Sequence, residues 1–158
     1  MSTNAEPGRA NARMYEQDVY AWAQTTAALI RAGQWHEVDA ASVAEEVESV
    51  GASEYRAVSS AMYQILVHLL KWRYQPHRRS HSWQSSRVEH RTRVPRALRR
   101  APSLAREIPA MIVEEYPAAC HKASVQTGLP LRTFPAICPW TPEQILAIEF
   151  WPDGDDTP

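Results

Sequence analysis

Apolar residues return along this chain at steps of three and four, the mark of helices buried on one face, and no stretch alternates with a period of two long enough to suggest a sheet. Tyr15, Val19, Trp22, Thr26, Leu29 and Ile30 keep that spacing and predict a helix over about 15–31, with Gly33 as its stop. Asp39 is placed to cap a second helix, whose buried stripe is Val43, Val47 and Val50 and which Gly51 ends or bends. The most regular run follows. Val58, Met62, Ile65, Leu69 and Trp72, widened by Leu66 and Leu70, predict a helix over about 53–74 that Pro76 stops.

Prolines punctuate what comes next. A fourth helix starting after Ser82 carries Trp83, Val88 and Leu98, with Pro95 expected to end it, kink it or open a new segment. Leu104, Ile108, Met111, Ile112 and Tyr116 predict a fifth, interrupted by Pro109 and Pro117, and Thr127-Gly128-Leu129-Pro130 is a terminator. Thr141, Pro142 and Gln144 then supply a cap, a first helical residue and a capping-box partner for a short last helix. Such a short helix is marginal alone, so Phe134, Trp140, Phe150 and Trp151 are expected to hold it against the rest. The expected fold is all-α: a bundle of about five helices with a short C-terminal helix and an aromatic-anchored tail. Residues 1–13 read as a disordered lead-in, 14–152 as a single helical domain and 153–158 as an acidic disordered tail.

Composition narrows the class. With 158 residues, 44% hydrophobic and 22% charged, the chain has material for one real core. No stretch approaches the ~18 consecutive apolar residues of a membrane span, and the polar first residues do not resemble a secretory leader. Cys120 and Cys138 are the only cysteines and form no C-x-x-C pair, which suits a reduced cytoplasmic protein. A net charge of −1 conceals segregation: residues 71–106 hold eleven of the 17 Lys and Arg, opposed only by Glu89.

Several motifs in one order carry a resemblance. They are Tyr15-x-x-Asp18-x-x-x-Trp22, the acidic run from Ala44 to Gly51, His68-Leu69-Leu70-Lys71-Trp72-x-Tyr74-Gln75-Pro76, and Ser82-Trp83. Thr127-Gly128-Leu129-Pro130, Phe134-Pro135, Cys138-Pro139-Trp140-Thr141 and Trp151-Pro152 complete the set. Over residues 13–152 the chain resembles a bacterial family known as domain of unknown function family 29. The resemblance implies a helical fold and brings no activity and no catalytic residues with it. Arg73 stands where members often have Gln, and Pro95 interrupts a stretch more often continuous.

Two sets of residues are candidates for chemistry. Among Glu45, Glu46 and Glu48, Glu46 lies nearest the valine stripe on a helical wheel, so its carboxylate needs a partner. Tyr15, Asp18, His68 and Lys71 are the candidates. A polar network of structural purpose is the leading reading; the functional one makes Glu46, His68 and Asp18 an inter-helix acid–base site, or Glu46 and His68 metal ligands. The chain contains no Glu-x-x-His of the kind that builds metal sites in bundles. In the basic region, Arg87 and Arg91, like Arg96 and Arg100, are i,i+4 neighbours able to form a ridge for phosphate groups, with Tyr74 and Trp83 as stacking aromatics. Cys138, beside Pro139 and Trp140, has no activating neighbour in sequence. The leading expectation is a non-enzymatic interaction or regulatory protein without a cofactor, acting on a protein partner or a second copy of itself. Nucleic-acid binding through 71–106 is one alternative, and a small enzyme or metal protein is the other.

Overall fold

The computed structural model describes residues 8–78 and 81–152, and the side chains of 8–77 and 91–152. Six α-helices stand among the described residues: α1 (Arg9–Gln17), α2 (Val19–Arg31), α3 (Ala40–Tyr74), α4 (His81–Arg100), α5 (Ile108–Thr127) and α6 (Pro142–Leu146). Short 3₁₀ turns at Trp35–Glu37, Pro76–Arg78, Pro102–Arg106 and Leu131–Thr133 join some of them. The fold is all-α, as the periodicity predicts. The chain divides into two compact units, Met1–Ala52 and Ser53–Pro158, where the sequence led to the expectation of one domain.

In the first unit, the helix expected over 15–31 is two helices. Asp18 is extended (φ −154°, ψ 92°), and its side chain accepts a 2.9 Å bond from the Ala21 N–H, so it ends α1 and caps α2. Residues 9–13, expected to be part of a disordered lead-in, form the first half of α1. They fold because Asn11 is buried and serves as a hub. Its Oδ1 accepts from the Trp22 indole N–H at 3.0 Å and from the Asp39 backbone N–H at 3.1 Å, while its Nδ2 donates to the Thr26 hydroxyl at 2.8 Å. The Tyr15 ring meets Trp22 edge-on, with centroids 4.8 Å apart.

Helix α3 merges the expected second and third helices. Asp39 caps it as expected, accepting from the Ala41 N–H at 3.3 Å and from the Ser42 hydroxyl. Gly51 lies inside the helix without interrupting it. A glycine there costs about 1 kcal/mol relative to alanine, which a 35-residue helix packed along its second half can carry.

The core of the second unit is the stripe read from the sequence. Val58, Met62, Ile65, Leu66, Leu69 and Leu70 of α3 are buried together with Met111, Ile112 and Tyr116 of α5. Helix α4 runs through Pro95 to Arg100, so Pro95 does not divide it. Pro109 sits in the first turn of α5, where its missing N–H has no intrahelical acceptor to serve. Pro117 lies on the exposed side of α5. Gly128, in the left-handed region at φ 74°, closes α5 by donating to the Ser124 carbonyl. The capping box at α6 is present, with Thr141 and Gln144 exchanging bonds of 2.9 and 3.3 Å. Beyond α6, Trp151 meets Trp72 with ring centroids 4.0 Å apart, and Phe134 meets Tyr74 at 5.0 Å.

Candidate functional site

Glu46 has the partner its position demands, and of the four candidates it is Tyr15, whose phenol donates to Oε1 at 2.8 Å. That bond, with the nearby Glu45 and Glu46 charges and partial burial, pushes the Tyr15 pKa up to about 12. Asp18 is engaged as the α2 cap. His68 belongs to the second unit, twenty-two residues further along the same helix as Glu46, and is half-buried. Lys71 is half-buried one turn beyond, and burial lowers its pKa. Among the described residues, no three His, Cys, Asp or Glu side chains converge to hold a metal ion.

The first unit presents an apolar face. Val47 and Val50, expected in the buried stripe with Val43, are 66% and 64% exposed. They line a trough of about 320 Å³ whose other wall is α2, with Val19, Ala23, Ala27 and Ile30. The alanines are too short to cover the valines opposite, so the trough stays open. Glu46 lies within it, and Glu45 and Glu48 stand exposed on α3.

Of the four arginines expected to contact nucleic acid, Arg91 is a correction. It is completely buried in the second unit, where its guanidinium grips the end of α6. Nε donates to the Ile145 carbonyl at 2.7 Å, Nη1 to those of Ile148 and Phe150 at 3.2 and 3.0 Å, and Nη2 to that of Gln144 at 3.3 Å. Gln144 and Ile145 lie in the last turn of α6, whose carbonyls lack partners within the helix, and the guanidinium supplies them. Burial lowers the Arg91 pKa to about 10, which still leaves it charged at neutral pH. Arg100 pairs with Glu54 at 3.0 Å, and Arg96 is exposed. The side chains of Arg87 and Trp83 lie outside the described residues.

Two adjoining clefts open in the second unit between α5 and the segment 131–142. One is about 420 Å³ and the other about 270 Å³, and Tyr116, Pro117 and Ala136 belong to both. The Tyr116 hydroxyl is buried behind their shared wall, with no hydrogen bond of ordinary geometry among the described residues. Burial and the neighbouring Cys120 thiol raise its pKa. Cys120 and Cys138 are both free thiols, and burial raises both above the ordinary thiol value, so neither is activated as a nucleophile.

Residues 14–151 match the family model described as "Domain of unknown function DUF29". The chain belongs to this family. No characterised protein and no solved structure matches it. In this DUF29 member, no helix among the described residues is long and apolar enough to cross a membrane.

Sequence reasoning passed over two residues that organise the DUF29 fold. Asn11 falls in a polar stretch with the look of a lead-in, although its i+4 spacing to Tyr15 continues the buried face one turn upstream. Arg91 belongs by charge with the basic region. Its spacing from Val94 and Leu98 puts it on the inward stripe of α4, and that is the available signal.

Proposed function

We propose that this DUF29 protein is a non-enzymatic, cytoplasmic interaction protein whose first unit receives a basic amphipathic helix of a protein partner in the trough between α2 and α3. The carrying observation is the open apolar trough: Val47 and Val50 stand about two-thirds exposed beside Val19 and Ile30. Its setting is acidic. Residues 1–52 contain eight Asp and Glu against three Arg, and Glu45, Glu46 and Glu48 are concentrated on α3. An amphipathic helix seats its apolar edge in such a groove while lysines or arginines along its flanks meet the carboxylates. The free thiols Cys120 and Cys138 support a reducing compartment.

The test is fluorescence anisotropy with a labelled leucine/lysine model helix and a leucine/glutamate counterpart. The basic helix binds, the acidic one does not, and added salt weakens the complex. Val47→Asp or Val50→Asp weakens it about tenfold, equivalent to ~1.4 kcal/mol, and both sites are exposed enough to leave the fold intact. Unchanged binding in both variants refutes the trough as the docking site. If the partner is a second copy, sedimentation shows a dimer that Val47→Asp dissociates.

A further inference from the structure

We infer that the paired clefts between α5 and the segment 131–142 bind a small amphiphilic monocarboxylate, with its apolar body along Val113 and Ile137 and its carboxylate at Arg132 and His121. The clefts are distinct from the trough and lie within the second unit, so this inference stands apart from the function proposed above.

Shape and size come first. The two clefts adjoin at the walls made by Tyr116, Pro117 and Ala136. The larger, about 420 Å³, falls in the range of small-molecule sites, and the smaller, about 270 Å³, extends it. The lining is polarised along its length. At one end it is apolar, with Val113 75% and Ile137 82% exposed, far more than large aliphatic side chains gain by facing water. The other end carries Arg132 and His121.

Charge selects the ligand class. Among the described residues no Asp or Glu lines either cleft, so an ammonium-bearing ligand finds no counter-charge there, while a carboxylate meets a guanidinium able to grip it with two parallel bonds. The imidazole of His121 adds a second donor beside it. Tyr116 underlies both clefts as an almost fully buried wall, its hydroxyl sealed from solvent beside the Cys120 thiol.

The experiment is isothermal titration of the full chain with decanoate, decanol and decylammonium below their micelle concentrations. Decanoate binds about tenfold more tightly than decylammonium. Arg132→Gln erases the preference for decanoate over decanol while leaving decanol binding unchanged, and Ile137→Asp abolishes decanoate binding. Both side chains are exposed, and circular dichroism verifies that each variant is folded. Three results overturn the proposal: absence of decanoate binding, equal binding of decanoate and decylammonium, or wild-type decanoate affinity in both folded variants.

Discussion

Replacing Arg91 by methionine removes a buried guanidinium while keeping most of the side chain's apolar length. The four carbonyls it serves, of Gln144, Ile145, Ile148 and Phe150, then have no donor at that place. A buried acceptor left without a partner costs about 1–3 kcal/mol. Two effects hold the loss below four times that figure. The variant no longer buries a charge, and the segment from 142 onward can lift off and expose its carbonyls to water, which caps the penalty at the value of its own packing. A net loss of about 3 kcal/mol follows, a large share of the ~5–15 kcal/mol that stabilises a typical domain. Arg91→Lys is the sharper comparison, since an ammonium offers three donors from one point and cannot span the planar fan of a guanidinium; it loses about 1–2 kcal/mol. Urea denaturation followed by circular dichroism measures both. Hydrogen exchange adds the location: residues 142–150 lose protection first, ahead of the Met62–Leu70 stretch of α3. If Arg91→Met shifts stability by less than about 0.5 kcal/mol, or lysine substitutes without loss, the guanidinium is not what fastens α6.

Two further outcomes follow from local geometry. Gly51→Ala raises stability by about 0.5–1 kcal/mol, because the position is helical and a Cβ there meets nothing within 4 Å; a thermal-melt shift downward contradicts this. Tyr15 has its pKa raised from the ordinary value of 10 to about 12, so the bond to Glu46 adds stability that is complete below pH 10 and lost as pH rises through 12. In Tyr15→Phe the stability difference from wild type shrinks across that window and one late-titrating phenol disappears from the absorbance titration at alkaline pH.

Helical class, stop signals and the α6 cap were legible because each is local. Gly33, Gly128 and Thr141 act within a few residues of themselves. What the pattern could not convey was continuity. Asp18 and Gly51 are both helix-breaking residues by type, yet one divides a helix and the other rides inside one. The difference is tertiary: Asn11 gathers the Trp22 and Asp39 donors around α1 and so fixes where α2 and α3 begin. The valine stripe of α3 was correctly placed on one face, but its burial depended on the size of the opposing residues, and Ala23 and Ala27 leave it uncovered. The position of Glu46 demands a partner and Tyr15 is one the pattern offers, whereas the clefts around Tyr116 are assembled from residues spread over 109–142, and motifs there such as Phe134-Pro135 say nothing of the space they enclose.

Among the described residues every acceptor that Arg91 holds is a main-chain carbonyl, so the latch recognises a path of backbone and is blind to the identity of the side chains along it. The Ile148 carbonyl accepts from the latch while its own side chain is nearly half exposed, and Glu149 beside it is exposed. Over evolutionary time those two positions are therefore free to drift without loosening the C-terminus, whereas the single codon for Arg91 is not. A library randomised at 148 and 149 should return folded protein at most substitutions, and one randomised at 91 should return arginine.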